Sequence, residues 1–135
     1  MPANITPIFP LTPKVSWATL TTANTAKDGT GTVGTCYTAG SNGARVDYLK
    51  VRALGTNVAT VLRVFLNNGS DNATAANNSL VLEQTIAATT LSEVAALVDN
   101  LVQLDMSIPA GYKINVTNGT TVAAGLQVTA FGGDY

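Results

Sequence analysis

Residues 59–66, ATVLRVFL, decide the fold class, because both faces of this stretch are largely apolar. Side chains alternate between the two faces of a β-strand. One face is wholly apolar and holds Leu62, Val64 and Leu66. The other face places Arg63 between Val61 and Phe65. Such a strand covers a core with its first face and needs a partner for its second, so the pattern predicts an interface anchored by Val61 and Phe65.

Short strand patterns continue in both directions from this stretch. Turn signals separate them at residues 27–29, 40–43 and 55–57, and at Asn118-Gly119, where both residues tolerate positive φ. The predicted strands lie at residues 15–22, 30–38, 45–54, 59–66, 80–86, 98–106, 112–117 and 122–130. About eight short strands predict an all-β fold, a two-sheet antiparallel β-sandwich that is jelly-roll-like.

Three segments depart from simple alternation. Within residues 45–54 the apolar phase changes near Tyr48, which predicts a β-bulge. Residues 67–78, NNGSDNATAANN, predict a long flexible loop, and their single charge at Asp71 argues against a calcium site. Residues 90–93, TLSE, match a helix capping box, so we expect either a short helix or a turn at residues 91–97.

The first 13 residues form a separate segment that is rich in proline. Four of the five prolines lie in it, and proline excludes helix and inner strand because it lacks the amide donor. Large apolar side chains alternate with these prolines: Ile5, Ile8, Phe9 and Leu11. We therefore predict an extended arm at residues 1–13 and a single β-sandwich domain at residues 14–135. The arm is expected to lie either on its own sandwich or on a neighbouring subunit.

Composition limits the classes of partner. Only 11% of the 135 residues are charged, against about 25% in typical soluble domains, and the net charge is −1. The basic residues are scattered, which argues against nucleic acid; the one cluster to consider is Lys50, Arg52 and Arg63, if adjacent strands bring them together. No apolar run approaches the ~18 residues of a membrane span, and residues 1–13 do not resemble a signal peptide. We expect a protein that folds in a cytoplasm and has no membrane partner.

The sequence lacks the residues that common catalytic arrangements require. The chain has no histidine and one cysteine, which excludes Ser-His-Asp triads and thiolate metal sites. Cys36 is expected to be a buried apolar residue, since no histidine can activate it. The glycines of residues 29–34 superficially match a phosphate loop, but they lie among residues with strand periodicity. A carboxylate pair assembled from different strands is the enzymatic alternative that stays open. We predict no enzyme, no cofactor and no metal.

Two aromatic residues raise a carbohydrate alternative. Trp17 and Tyr37, if adjacent on an exposed sheet, would form a platform for sugar rings. Packing of both in a core or an interface is the other interpretation.

Six stretches of the chain carry a resemblance to known proteins: VSWATLTTAN at 15–24, DGTGTV at 28–33, TAGSNG at 38–43, ATVLRVFLNNG at 59–69, IPAGY at 108–112 and GDY at 133–135. They resemble small virion proteins of tailed bacteriophages, and also the β-sandwich decoration (cement) proteins that bind the outside of phage capsids, often as trimers. These stretches are turn and strand motifs and not catalytic ones. The resemblance covers most of the chain from residue 13 onward, and it implies a structural component of the virion.

The expected function is therefore capsid decoration. The partners would be the major capsid protein and further copies of the chain, with a homotrimer favoured, and the location would be the phage head. The candidate interface residues are Ile5, Ile8, Phe9, Leu11, Trp17, Val61, Arg63, Phe65 and Tyr135. A tail or baseplate component and a host-surface carbohydrate-binding module are the alternatives.

Overall fold

Eight β-strands in two antiparallel sheets make up the structure, a computed structural model that describes residues 9–135. The strands are β1 (Thr12–Leu20), β2 (Gly34–Thr38), β3 (Ala44–Ala53), β4 (Thr60–Asn67), β5 (Asn78–Ile86), β6 (Asn100–Ile108), β7 (Lys113–Asn118) and β8 (Leu126–Asp134). One 3₁₀ turn, Ala75–Asn77, precedes β5. The predicted all-β sandwich of eight strands is confirmed.

The strand order is that of a jelly roll. Sheet I has the order β1-β8-β3-β6, and sheet II has the order β2-β7-β4-β5. The first strand pairs with the last, the second with the seventh, the third with the sixth and the fourth with the fifth. The chain therefore folds like one long hairpin that wraps into two sheets, and this wrapping generates the crossing connections of a jelly roll.

The inner faces of the two sheets form one apolar core. Side chains from both sheets contribute to it, including Leu49, Leu62, Val64 and Val128, all without exposed surface. The predicted bulge in β3 is present: the register shifts between Val46 and Tyr48. Because Asp47 is the extra residue, Val46 and Leu49 both point to the core although they are an odd number of residues apart.

Some boundaries and turns differ from the prediction. β1 begins at Thr12, so the sandwich includes the last two residues assigned to the arm. Residues 93–95 form a bend and no residue of 91–97 is helical, so the alternative of a short helix is wrong. Asn118-Gly119 is not a tight hairpin turn, and neither residue has a positive φ. Because β7 and β8 lie in different sheets, residues 119–125 must connect across the sandwich instead.

The arm is described only from Phe9. The amide of Leu11 donates to the carbonyl of Asp134 at 2.9 Å, so the arm continues the pairing of β1 with β8. Phe9 and Leu11 are 73% and 82% exposed, respectively. Ile5 and Ile8 lie outside the described residues.

Candidate interaction surface

A long loop covers part of the outer face of sheet II. This loop, residues 21–33, is called the strap below. The strap is hydrogen-bonded to β7, because the amide of Asn24 donates to the carbonyl of Asn118 at 2.8 Å. It is also hydrogen-bonded to β5, because Nδ2 of Asn78 donates to the carbonyl of Asp28 at 3.0 Å. Asn118 pairs with Leu62 near one end of β4, and Asn78 pairs with Asn67 at the other end. The strap therefore crosses β4 diagonally.

Burial on this face changes the interpretation of β4. Phe65 has no exposed surface, and Asn115 and Thr117 on the outer face of β7 are 3% and 1% exposed. The prediction that Phe65 anchors an external interface is wrong, because its ring is already fully buried within the chain.

Arg63 and Val61 are only partly covered. Nε of Arg63 lies 2.9 Å from Oε1 of Glu83, and 12% of the arginine side chain is exposed. Its Nη1 is buried without a partner among residues 9–135. Val61 is half-buried beside it. Their role in an interface stays a prediction, and the surface that they would contribute is smaller than expected.

The outer face of sheet I is open. Residues that pair directly across strands share a face. One row of this face contains Val15, Phe131 and Tyr48 on three neighbouring strands, and the next row contains Trp17, Thr129, Lys50 and Leu101. No hydrogen bond among the described residues carries a loop across these rows. We call Val15, Trp17, Tyr48, Leu101 and Phe131 the aromatic face.

Large apolar side chains are exposed in the aromatic face. Trp17 is 61% exposed, Leu101 57% and Val15 49%. Phe131 and Tyr48 stack with ring centroids 4.8 Å apart and an interplanar angle of 22°. Adjacent strands are about 4.8 Å apart, so the row of four residues extends roughly 14 Å across the sheet. An exposed apolar area of this kind is typical of an interaction site.

Charges on the same face pair with one another. Asp99 lies 3.2 Å from Nζ of Lys50 and 3.8 Å from Nη1 of Arg52. Arg45 contacts Asp47 at 3.1 Å near the other end of the sheet. The cluster of Lys50, Arg52 and Arg63 considered from the sequence does not exist, because Arg63 lies on sheet II.

Tyr37 does not join Trp17 in a sugar platform. Tyr37 is 1% exposed and belongs to the core, so that pairing is wrong. Its hydroxyl donates to Oδ1 of Asp134 at 3.0 Å. Burial, and then this carboxylate, raise the pKa of the tyrosine well above its ordinary range. Lys14 completes the group, with Nζ 3.3 Å from Oδ2 of Asp134 and 5.0 Å from the centre of the Tyr37 ring.

Tyr135 lies half-buried at the end of sheet I. Its amide donates to the carbonyl of Gly43 at 3.1 Å, and its hydroxyl lies 2.8 Å from Oγ of Ser107. These bonds fix the residue in the fold. Its role in an interface stays a prediction.

The reactive residues are few and scattered. In the part of the chain that the structure describes, no three acidic, histidine or cysteine side chains come together as a metal site. Cys36 is fully buried, and desolvation raises the pKa of its thiol to about 12. Within residues 9–135, no helix has the length and apolarity that crossing a bilayer requires.

Four of the five residues of the aromatic face were missed as interface candidates; only Trp17 was named. Alternation in β8 assigns Val128 and Ala130 to the core, which leaves Phe131 outside once the bulge of β3 is included. Val15 follows from the same alternation with Trp17. Leu101 follows from alternation in β6, which assigns Val102 and Leu104 to the core.

The fold and this surface define the protein as a jelly-roll β-sandwich in which the strap partly covers one outer face and the other is open. Searches against protein-family models, curated proteins and solved structures found no match for the chain.

Proposed function

We propose that the protein is a non-enzymatic component of a bacteriophage virion, a decoration (cement) protein that binds and stabilises the head shell. The observation that carries this proposal is the aromatic face, in which Trp17, Leu101 and Val15 remain exposed beside the Tyr48–Phe131 stack. Aromatic residues are enriched at the centres of protein interfaces, where they contribute much of the binding energy.

The fold is compatible with this role. Jelly rolls occur in viral capsid proteins and in lectins. Because one fold hosts many functions, this likeness alone does not choose between them. The open sheet provides the argument specific to this chain, together with the resemblance of its strand and turn motifs to small virion proteins.

The low charge supports binding to a protein shell. Five ion pairs on the surface involve Lys14, Arg45, Lys50 and Arg52 with acidic neighbours, so these cations are already neutralised. A largely neutral surface is buried at little desolvation cost. A symmetric shell multiplies weak contacts through effective concentration, and a protein that binds only the assembled shell shifts it away from disassembly.

Sedimentation with head shells tests the proposal. Empty shells assembled without this protein are mixed with the purified chain and pelleted. We expect saturable co-sedimentation and a higher melting temperature of the shell. Trp17→Ala should weaken binding at least about tenfold, as expected for an aromatic anchor. Val58→Ser is the matched control, because Val58 is also exposed (59%) but lies in the β3–β4 connection.

Two outcomes would reject this function. One is the absence of saturable binding to shells, and the other is equal binding by the wild type and by Trp17→Ala. Saturable binding to tails or baseplates would support that alternative location in the virion. Sedimentation velocity of the free chain tests the expected trimer.

The exposed indole of Trp17 also favours the second candidate, a host-surface carbohydrate-binding module. The negative face of an aromatic ring attracts the polarised C–H groups of a sugar. Binding to a glycan array that is lost in Trp17→Ala would support this function and not shell binding.

A further inference from the structure

We propose that a polar cleft on the outer face of sheet II binds a neutral, polyhydroxylated ligand, namely the terminal sugar ring of a glycan. The cleft measures about 220 Å³ and lies between β2, β7 and the beginning of the loop at residues 68–77. It is on the opposite sheet from the aromatic face. Binding of a shell and binding of a sugar are therefore separable, and failure of one leaves the other intact.

Asn115 forms the buried floor of the cleft. The residue is 3% exposed, and its Oδ1 accepts a hydrogen bond from Oγ1 of Thr35 at 2.8 Å. This bond orients the amide and leaves Nδ2 without a partner among residues 9–135. Asn115 lines the cleft, so these N–H groups lie beside it. Amides this deeply buried normally use their donors, so the free N–H groups mark the place where a ligand hydroxyl would accept.

Acceptors on the adjacent wall are held in place before any ligand binds. Nδ2 of Asn72 donates to the carbonyls of Gly29 and Gly31 at 3.1 and 2.9 Å, and its Oδ1 has no donor among residues 9–135. Oδ1 of Asp71 accepts from the amide of Ala73 at 2.9 Å, and its Oδ2 has no donor in the described part of the chain. Groups that are already ordered lose little conformational entropy on binding.

The charges of the cleft select a neutral ligand. Lys113 and Asp71 both line it, and neither makes an ion pair in the described part of the chain. With one cation and one anion the cleft has no net charge, so it does not favour an ion of either sign. A hydroxyl group both donates and accepts, so it suits a site that offers both kinds of partner. Val33 adds an apolar wall for the C–H face of a ring.

An NMR titration of the full chain tests the site. The probes are methyl glycosides of hexoses and of N-acetylhexosamines, with glycerol as the control for hydroxyl groups without a ring. We expect at least one glycoside to shift the side-chain amide of Asn115 and the backbone amides of residues 69–72 in a saturable manner. Glycerol should produce no saturable shift.

Substitutions at the cleft give the second part of the test. Asp71→Asn keeps the acceptor for Ala73 and removes the charge, and Lys113→Gln replaces a charged donor with a shorter, neutral one; each should weaken binding about tenfold. Lys27→Gln and Asn42→Asp are matched controls at exposed positions outside the cleft, and both should bind like the wild type. Asn115→Asp keeps the bond to Thr35 and removes the free donor, so binding should be lost.

The inference is overturned if no glycoside of the panel shifts these resonances, or if the shifts centre on Trp17 instead. It is also overturned if Asp71→Asn and Lys113→Gln bind as tightly as the wild type. These two variants change exposed or half-buried side chains, so they carry the test even if Asn115→Asp does not fold.

Discussion

The hydroxyl of Tyr37 on β2 donates to Oδ1 of Asp134 on β8 at 3.0 Å, and this bond joins the two sheets at one end of the sandwich. The amide of Gly40 donates to the same oxygen at 3.2 Å. Asp134 therefore connects the last strand to the turn after β2. The Asp134 carboxylate therefore holds the end of β8 against the opposite sheet.

Removal of this hydroxyl should destabilise the fold. We expect Tyr37→Phe to lower the free energy of unfolding by about 1–2 kcal/mol, because a partly buried carboxylate loses a donor. Urea denaturation measures the change. Tyr48→Phe is the control, since the Tyr48 hydroxyl has no hydrogen bond among the described residues, and it should change stability by less than about 0.5 kcal/mol. Equal effects of the two substitutions would contradict the inter-sheet role.

The two outer faces should respond oppositely to truncation of an aromatic residue. Phe65→Ala should cost about 3–5 kcal/mol of stability, because this ring is completely buried. Trp17→Ala should cost less than about 1 kcal/mol, because most of the indole is exposed. Thermal and urea denaturation of both variants provide the comparison. A stable Phe65→Ala protein would mean that this ring is not buried in the fold.

Gly132 and Gly111 should tolerate alanine differently, because the first lacks space for a side chain and the second has a positive φ. A Cβ on Gly132 would lie 2.2 Å from the carbonyl oxygen of Arg45, which blocks the pairing of β8 with the bulge of β3. We expect Gly132→Ala to cost more than about 3 kcal/mol or to prevent folding. Gly111 has φ +76 but open space around it, so Gly111→Ala should cost only about 1–2 kcal/mol. Chemical denaturation tests the order, and a tolerated Gly132→Ala would refute the close approach of these strands.

Burial of Cys36 should make the protein sensitive to alkali. Desolvation raises the pKa of this thiol from 9.0 to about 12 in the folded state. The unfolded chain therefore loses this proton first, so the contribution to stability is complete below about pH 9 and declines as the pH rises toward 12. The decline is about 1.4 kcal/mol per pH unit for one group.

Cys36→Ala isolates this contribution. The difference between the urea midpoints at about pH 8 and about pH 10 should be smaller in the variant than in the wild type. The variant itself loses some stability at both values, because a buried side chain is shortened. An unchanged difference between the two pH values would show that the thiol titrates normally and is not desolvated.

The sequence predicted the strands better than the surfaces. Alternation in β4 identified both of its apolar faces, and the phase change near Tyr48 identified the bulge. The burial of Phe65 could not be predicted, because the strap is held on this sheet by hydrogen bonds between residues such as Asp28 and Asn78, which are 50 positions apart. The polar loop was predicted at residues 67–78, and the sequence did not show that its asparagine side chains bond to neighbouring backbone groups and to the strap.

The sequence by itself determined the strands and the absence of a histidine-based active site, because periodicity and composition are local or additive properties. Only the tertiary structure decided which outer face remains open and which side chains line the polar cleft. Those outcomes depend on strand order and on register, and a shift of one residue would turn Trp17 inward and bury the aromatic face.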